Sequence, residues 1–352
     1  MGEVCLLPEG LECCLGQRQV LLRPSKTIDS RYLFYALRSQ YVRHQIFWNE
    51  GTGSTVSNVR IPVLKALKIP RLGRSERGVG QILGALDDKI DLNRRINETL
   101  EAMARALFKD WFVDFGPTRA KMEGREPYLA LDLWALFPGR LDDEGKPEGW
   151  RTSTIGDEVR VVGGSTPSTK EAAFWDGGIS WATPKDLSTL ATPVLLETAR
   201  TITEAGLAKI SSGLLPVGAV LLSSRAPIGY LAIAEVPVAI NQGFIGMICD
   251  KRMSNIFAWL WTLENMEAII AKANGSTFQE ISKRNFRPLP AVLSDAPILQ
   301  VFDTIAGPMY GRIARNEREA RTLAQTRDLL LPKLMSGEIR VREAERMVEE
   351  VA

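Results

Sequence analysis

Histidine is nearly absent: the chain carries one, His44, among 352 residues. It stands between Arg43 and Gln45 in a segment of helical pattern, where a surface or internally satisfied imidazole is the default. A His-based catalytic triad is therefore not supported. Cysteine is sparse as well. Cys5, Cys13, Cys14 and Cys249 form no CxxC pair, so neither a zinc-site spacing nor a disulfide frame is present, which suits a reducing cytoplasm. No run of 18 apolar residues occurs, so no membrane-spanning helix is expected. The start, MGEVCLLPEG, lacks the charged-then-apolar layout of a signal peptide. Charge of one sign is also missing. Lys and Arg number 44 against 42 Asp and Glu, a balance that does not announce a nucleic-acid binder and does not exclude one with local basic surfaces.

Recognisable catalytic motifs are missing too. GGSTPSTK (163–170) superficially resembles a phosphate-binding loop, but it has no Gly before Lys170 and carries Pro167 within the loop. No glycine-rich dinucleotide fingerprint follows a strand pattern, and the acidic residues are not spaced as metal ligands. Catalysis by this chain is not supported, and no cofactor or metal is implied.

What is present is one dominant stretch. Residues 81–116 contain no Pro and only Gly84 as an internal glycine, with good helix formers filling the second half. Leu83, Leu86, Ile90, Asn93, Asn97, Leu100, Ala104, Leu107 and Trp111 recur at alternating steps of three and four, the spacing of a coiled-coil seam. The chain repeats the device. Ala306, Met309, Ile313, Asn316, Ala320, Leu323, Arg327, Leu330 and Leu334 form a second seam at a constant offset, with Arg327 the clear departure. Asn93 matches Asn316, and Leu100 and Leu107 match Leu323 and Leu330. The segments before the helices match in the same order: SRYLFYALRSQ resembles SNIFAWLWTLE, and Gly53-Ser54-Thr55 aligns with Gly275-Ser276-Thr277. The unit is thus a globular domain followed by a long helix, used twice. The first use is incomplete, because the counterparts of residues 149–228 are not found ahead of it.

The expected fold class is α+β, with globular α/β domains separated by two long helices that pair as an antiparallel coiled coil. Residues 1–30 show a strand-and-turn pattern, and residues 30–48 read as a helix capped by Ser30. The expected divisions are 1–78, the C-terminal half of a first domain; 79–116, a spacer helix; 117–148, a linker; 149–296, a complete second domain with a helix near 254–272; 297–337, a second spacer helix; and 338–352, a charged, solvated tail.

The second domain holds the polar loops. GGSTPSTKEAAFWDGGISWATPKDL (163–187) mixes hydroxyls with Lys170, Lys185, Trp175 and Trp181. SSRAPIGY places Arg225 beside two hydroxyls, NQGF offers the Asn241 and Gln242 amides, and NGSTFQEISKRNFR carries Lys283, Arg284 and Arg287 against Glu280. Such residues suit DNA, since Lys and hydroxyls hold phosphates while Arg and amides read base edges. Ser/Thr/Gly-rich loops are more often plain turns, and tryptophans more often core.

Taken together and in order, these motifs resemble the specificity subunit of type I restriction–modification enzymes. The stretch from GWRTSTIGDEVRVVGGSTPSTK through SSRAPIGYLAIA and INQGF to NGSTFQEISKRNF is similar to that family's target recognition domain. IDLNRRINETLEAMARALFKDWFVDFGP and LAQTRDLLLPKLMSGEIRV are similar to its two spacers. The resemblance covers nearly the whole chain. It implies a non-catalytic subunit within a type I deoxyribonuclease and adenine-specific DNA methyltransferase. Two recognition domains would each read half of a split site on double-stranded DNA, and paired helices would set the gap. Methyltransferase subunits would dock on the helices, and a restriction/translocase subunit would join them. About 31 helical residues at roughly 1.5 Å each span about 46 Å, a little over one DNA turn of roughly 34 Å. The resemblance also implies a chain shortened at its N-terminus, with its first recognition domain incomplete.

Candidate DNA contacts are Lys170, Lys185, Arg225, Gln242, Ser276, Thr277, Lys283 and Arg284. Candidate helix-pairing residues are Leu83, Leu86, Ile90, Asn93, Leu100, Leu107, Ile313, Asn316, Leu323 and Leu330. Two other readings stay open: a fragment of a fused restriction–methyltransferase enzyme, and a coiled-coil scaffold that does not touch DNA.

Overall fold

The computed structural model describes residues 2–8, 10–17, 19–49, 59–275 and 279–349. The fold is α+β, with ten short strands and two long helices, Glu76–Phe112 and Ala296–Ser336, among the described residues. The chain divides into two compact units, Met1–Arg94 with Arg318–Ala352, and Arg95–Glu317, so that each long helix contributes to both.

In the first unit no helix or strand precedes Ser30 among the described residues, where the sequence suggested strands. The expected 30–48 helix is two helices, Ser30–Arg38 and Gln40–Trp48. Asp29, not Ser30, is the cap of the first: its carboxylate accepts from the Tyr32 amide at 2.9 Å. Ser39 breaks the run, its extended backbone ending one helix while its hydroxyl donates to Ala36 and accepts from the Val42 amide to start the next.

The first long helix begins at Glu76, ahead of the expected boundary at 79, and ends at Phe112 rather than 116. Phe115 adopts φ 54°, and Pro117 opens a new short helix. The early glycines serve close approach. A side chain at Gly80 would meet the Tyr32 amide at 2.8 Å, and one at Gly84 would meet Arg31 Nη1 at 2.5 Å. The N-terminus of helix Ser30–Arg38 thus seats directly on the long helix, and Arg31 reaches Asp88 at 2.7 Å.

Here the two long helices run antiparallel. Arg327 meets Asp87 while Asn93 donates to Glu319 at 2.8 Å. Leu83, Leu86, Leu323 and Leu330 are buried together with Tyr32, Tyr35 and Leu334, and Ile90 packs against them half-buried. Arg327, the departure from the apolar seam, is explained by Asp87. That carboxylate accepts from Arg327 and from the Tyr35 hydroxyl, both at 2.5 Å, with Arg38 at 3.7 Å. Burial and the Asp87 carboxylate push the Tyr35 phenol well above its ordinary range. The C-terminal helix Val341–Glu349, expected to be solvated, lies against this core through buried Ala344 and partly buried Val341, Met347 and Val348.

In the second unit the helices again pair antiparallel. Asn316 donates to Asn97 at 2.8 Å, both buried, while Phe108 and Trp111 pack edge-on against Phe302. Ile313 is buried and Leu100 and Leu107 are half-buried against the same core. The 117–148 segment is not a free linker: Pro117, Thr118, Ala120 and Phe137 are buried in this unit.

The strands are β1 (Arg151–Thr154), β2 (Arg160–Gly163), β3 (Trp175–Ala182), β4 (Val194–Leu195), β5 (Arg200–Ile202), β6 (Val220–Ser224), β7 (Ile228–Ala234), β8 (Val238–Ile240), β9 (Phe244–Ile248) and β10 (Pro290–Leu293). They form a five-stranded sheet in the order β2-β9-β6-β7-β4, a three-stranded sheet β5-β3-β8 and the pair β1-β10. The five-stranded sheet is covered on both faces, which is why its strands read as continuous apolar runs. Val220, Leu222, Ile233, Ile245 and Met247 face a core that contains Phe257 and Trp259 of helix Asn255–Glu264. The alternate residues Leu221, Ala232, Ala234, Phe244 and Ile248 face a second core with Leu187 and Leu215. Ser254 caps helix Asn255–Glu264 at 3.1 Å, and Asn265 breaks it from Met266–Ala271, as Ser39 does in the first unit.

Arg327→Ala leaves the partly buried Asp87 and its tyrosine without their main cation. We expect a loss of about 1.5–3 kcal/mol, the worth of hydrogen bonds to charged groups, read as a lower guanidinium midpoint for the chain. An unchanged midpoint would show that the ion pair contributes nothing.

Candidate nucleic-acid interface

Strand direction places the candidate loops at one end of the five-stranded sheet. β2, β6 and their antiparallel neighbours β9 and β7 bring Gly163, Ser224, Phe244 and Ile228 to the same edge. β3 and β8 run parallel and end at Ala182 and Ile240, next to the turn Asn241–Gly243 that leads into β9.

Backbone hydrogen bonds then join the loops. The Ser165 amide donates to the Ile240 carbonyl at 3.1 Å, the Asn241 amide to Ala182 at 3.0 Å, the Ser224 amide to Gly243 at 2.8 Å, and the Ile281 amide to Ser224 at 3.0 Å. Asn241 turns its side chain inward, where its carbonyl oxygen accepts from the Gly243 amide at 2.9 Å, an Asx turn. Gly164 is required by this closeness, since a side chain there would lie 1.8 Å from the Ile240 oxygen. Pro184 packs on Gly243 in the same way.

Gln242 is exposed at the crest of the turn, and its carbonyl oxygen accepts from the Thr166 hydroxyl. Lys185 is exposed on the short helix Pro184–Ser188, which is capped by a bond from the Thr183 amide to Asp186 at 2.7 Å. Arg225 is half-exposed and 3.7 Å from Glu280. Helix Lys283–Phe286 is anchored by fully buried Phe286, which turns Lys283 and Arg284 to solvent. Lys283 extends along Gly163, where a side chain would meet its Nζ at 3.2 Å. The result is a polar, basic rim assembled from five separate loops.

Residues 147–292 match the model of the Type I restriction modification DNA specificity domain. The rim thus lies within the stretch that matches a type I DNA specificity domain. The chain is 26% identical over 348 residues to the type I restriction enzyme MjaIX specificity subunit of Methanocaldococcus jannaschii, a match covering 97% of this chain and 76% of that protein. It is 25% identical over 310 residues to the HindI specificity subunit of Haemophilus influenzae, covering 75% and 67% of the two chains. Its fold resembles the crystal structure of the type I restriction–modification S subunit from M. genitalium, with a TM-score of 0.55 and 16% identity over 88% of this chain and 73% of that one.

Within the specificity domain, the rim gathers Lys185, Arg225, Gln242, Lys283 and Arg284. Lys170 is exposed at the far end of the Gly163 loop, and Ser276 and Thr277 lie outside the described residues, as do Gly53, Ser54 and Thr55. The hydroxyls beside Arg225 are not available to a ligand: Ser223 and Ser224 are buried, and the Ser223 hydroxyl donates to Pro227 at 2.8 Å. Trp175 and Trp181 are likewise internal. Their indole NH groups donate to Ser168 at 3.0 Å and Ser165 at 3.3 Å, fastening the loop from beneath, and Arg200 stacks 3.6 Å from the Trp175 ring. Thr166 is a rim residue that sequence reasoning missed, because a threonine in a Ser/Thr-rich loop carries no distinguishing signal. Asn241 was legible as an amide, but its inward turn was not.

Gly164→Ala forces a methyl into backbone that has no flexible end to move. We expect it to lower stability by about 1–3 kcal/mol, as overpacking does, in a urea titration. Gly178→Ala meets nothing within 4 Å and serves as the control; equal behaviour of the two variants would refute the close approach.

Proposed function

We propose that the chain is the DNA-recognising, non-catalytic specificity subunit of a type I restriction–modification complex, acting in the cytoplasm. The observation that carries this reading is the rim: four segments distant in sequence present Lys185, Arg225, Gln242, Lys283 and Arg284 on one edge of the specificity domain. Lysines there suit phosphates. Arg225 and Gln242 have the donors and acceptors that base edges require. Residues 149–296 act as one whole target recognition domain that reads part of a bipartite duplex site. Residues 1–78 contribute to another, and the helices of 79–116 and 297–337 are spacers. Methyltransferase subunits and a restriction/translocase subunit are the partners, and the chemistry belongs to them. Relatives bearing the name of type I specificity subunits support the assignment.

The test is selection of duplexes from a random library by the chain together with its methyltransferase subunits. A defined sequence should be enriched and held in a salt-sensitive way. Arg225→Ala and Gln242→Ala should each relax one position of that sequence, at about 1–3 kcal/mol per lost bidentate pair, or roughly 5- to 150-fold in affinity. Absence of any enriched sequence, or two variants with the parent's preference, would remove the rim from DNA reading.

A further inference from the structure

The rim continues down one side of the specificity domain. β2 is the outer strand of the five-stranded sheet, so one row of its backbone groups has no neighbouring strand. Basic side chains occupy that edge. Lys283 lies along Gly163 at the rim end. One helical turn later in the chain, Arg287 Nη2 donates to the Val161 carbonyl at 2.7 Å. At the far end Arg160 forms a two-point contact with Asp250, at 3.0 and 2.9 Å. Beside it Lys251 Nζ donates to the Gly156 and Asp157 carbonyls at 3.2 and 2.8 Å. Arg160, Lys251, Arg287 and Asp250 line one open groove there.

These side chains are held in place yet not exhausted. A guanidinium has five N–H donors and an ammonium three. Arg287 spends one on Val161, Lys251 two on backbone, and Arg160 two on Asp250. Bonding to neutral carbonyls leaves the charges of Arg287 and Lys251 uncompensated. The groove lining has Asp250 as its acid, against Arg160, Lys251 and Arg287. The three steps from Arg160 to Gly163 along β2 cover about 10 Å at roughly 3.3 Å each, the length of about three nucleotides of one strand at roughly 3.4 Å rise.

We propose that the outer edge of β2 is a phosphate track, on which Arg160, Lys251 and Arg287 hold the sugar–phosphate backbone of the duplex whose bases face the rim. The proposal rests on the DNA-recognition reading and deepens it by separating two jobs. The rim carries sequence information, and the β2 edge fixes the position and orientation of the duplex without reading it.

The test uses the chain complexed with its methyltransferase subunits, and two duplexes, one with the selected sequence and one scrambled. Affinity is measured across a salt series for the parent and for the Arg160→Gln/Lys251→Gln double variant. Each lost phosphate contact should reduce the slope of log K against log salt by about 0.9. The double variant should therefore lose close to two units of slope on both duplexes, while the ratio of the two affinities stays as in the parent. Arg160→Lys/Lys251→Arg keeps the charges and should restore the slope, which separates charge from misfolding. Arg140→Gln, which removes an exposed cation paired with Glu148 elsewhere in the unit, should leave the slope intact. An unchanged slope in the double variant, or an equal loss in Arg140→Gln, overturns the track. A parent that binds both duplexes equally, yet loses slope in the double variant, keeps the track and removes the reading rim.

Discussion

Three segments meet at the turn Asn241–Gly243 because each gives or takes a backbone hydrogen bond there or at the residue just before it, and a fourth is tied to one of them. Ser165 and Ile240, Ala182 and Asn241, and Ser224 and Gly243 are all joined this way, and Ile281 is tied on through Ser224. None of these bonds depends on side-chain identity, so the loops are held by the main chain while their exposed side chains stay free to differ. A surface that reads DNA benefits from that division. The scaffold is fixed by geometry that Gly164 and the Asn241 Asx turn make possible, and exposed side chains such as Lys185 and Gln242 carry no packing duty.

The sheet beneath is rigid because both its faces are covered. Alternation sends Val220 and Leu222 to one core and Leu221 to another, and the aromatic cluster of Phe108, Phe112, Phe257 and Phe302 closes the first. The two tryptophans of β3 complete the support by donating to the backbone of the Gly163 loop. Polar residues in the helix seams are handled separately in each unit. Asn316 donates to Asn97, and Arg327 finds Asp87. Both are pairings that cost stability unless aligned and so favour one register.

Much of this was legible in the sequence for a physical reason: long periodic helices and ordered motifs carry strong patterns. The α+β class, the two long helices and the polar loops all follow from such patterns, whereas the breaks at Ser39 and Asn265 do not. What the sequence hid depends on tertiary contact. Gly78 falls before the expected start of the spacer helix at 79, yet it lies inside the helix with Val341 packed against it. The 338–352 tail reads as solvated because its apolar residues are few, yet Ala344 is buried. The tryptophans and Ser223 could be read either as ligand contacts or as structure, and only their hydrogen-bond partners decide for structure. The β2 edge was invisible, since Arg160, Lys251 and Arg287 are adjacent through strand pairing and loop return, not through spacing.

The central claim is that one edge of the specificity domain faces the bases. Photo-cross-linking tests it most directly, with the selected duplex carrying 5-iodouracil in place of thymine and the methyltransferase subunits bound. The account predicts adducts on peptides covering 163–170, 183–185, 225–227, 241–243 or 283–284. Adducts confined to the turns at the other end of the sheet, 216–218 and 235–237, would contradict it.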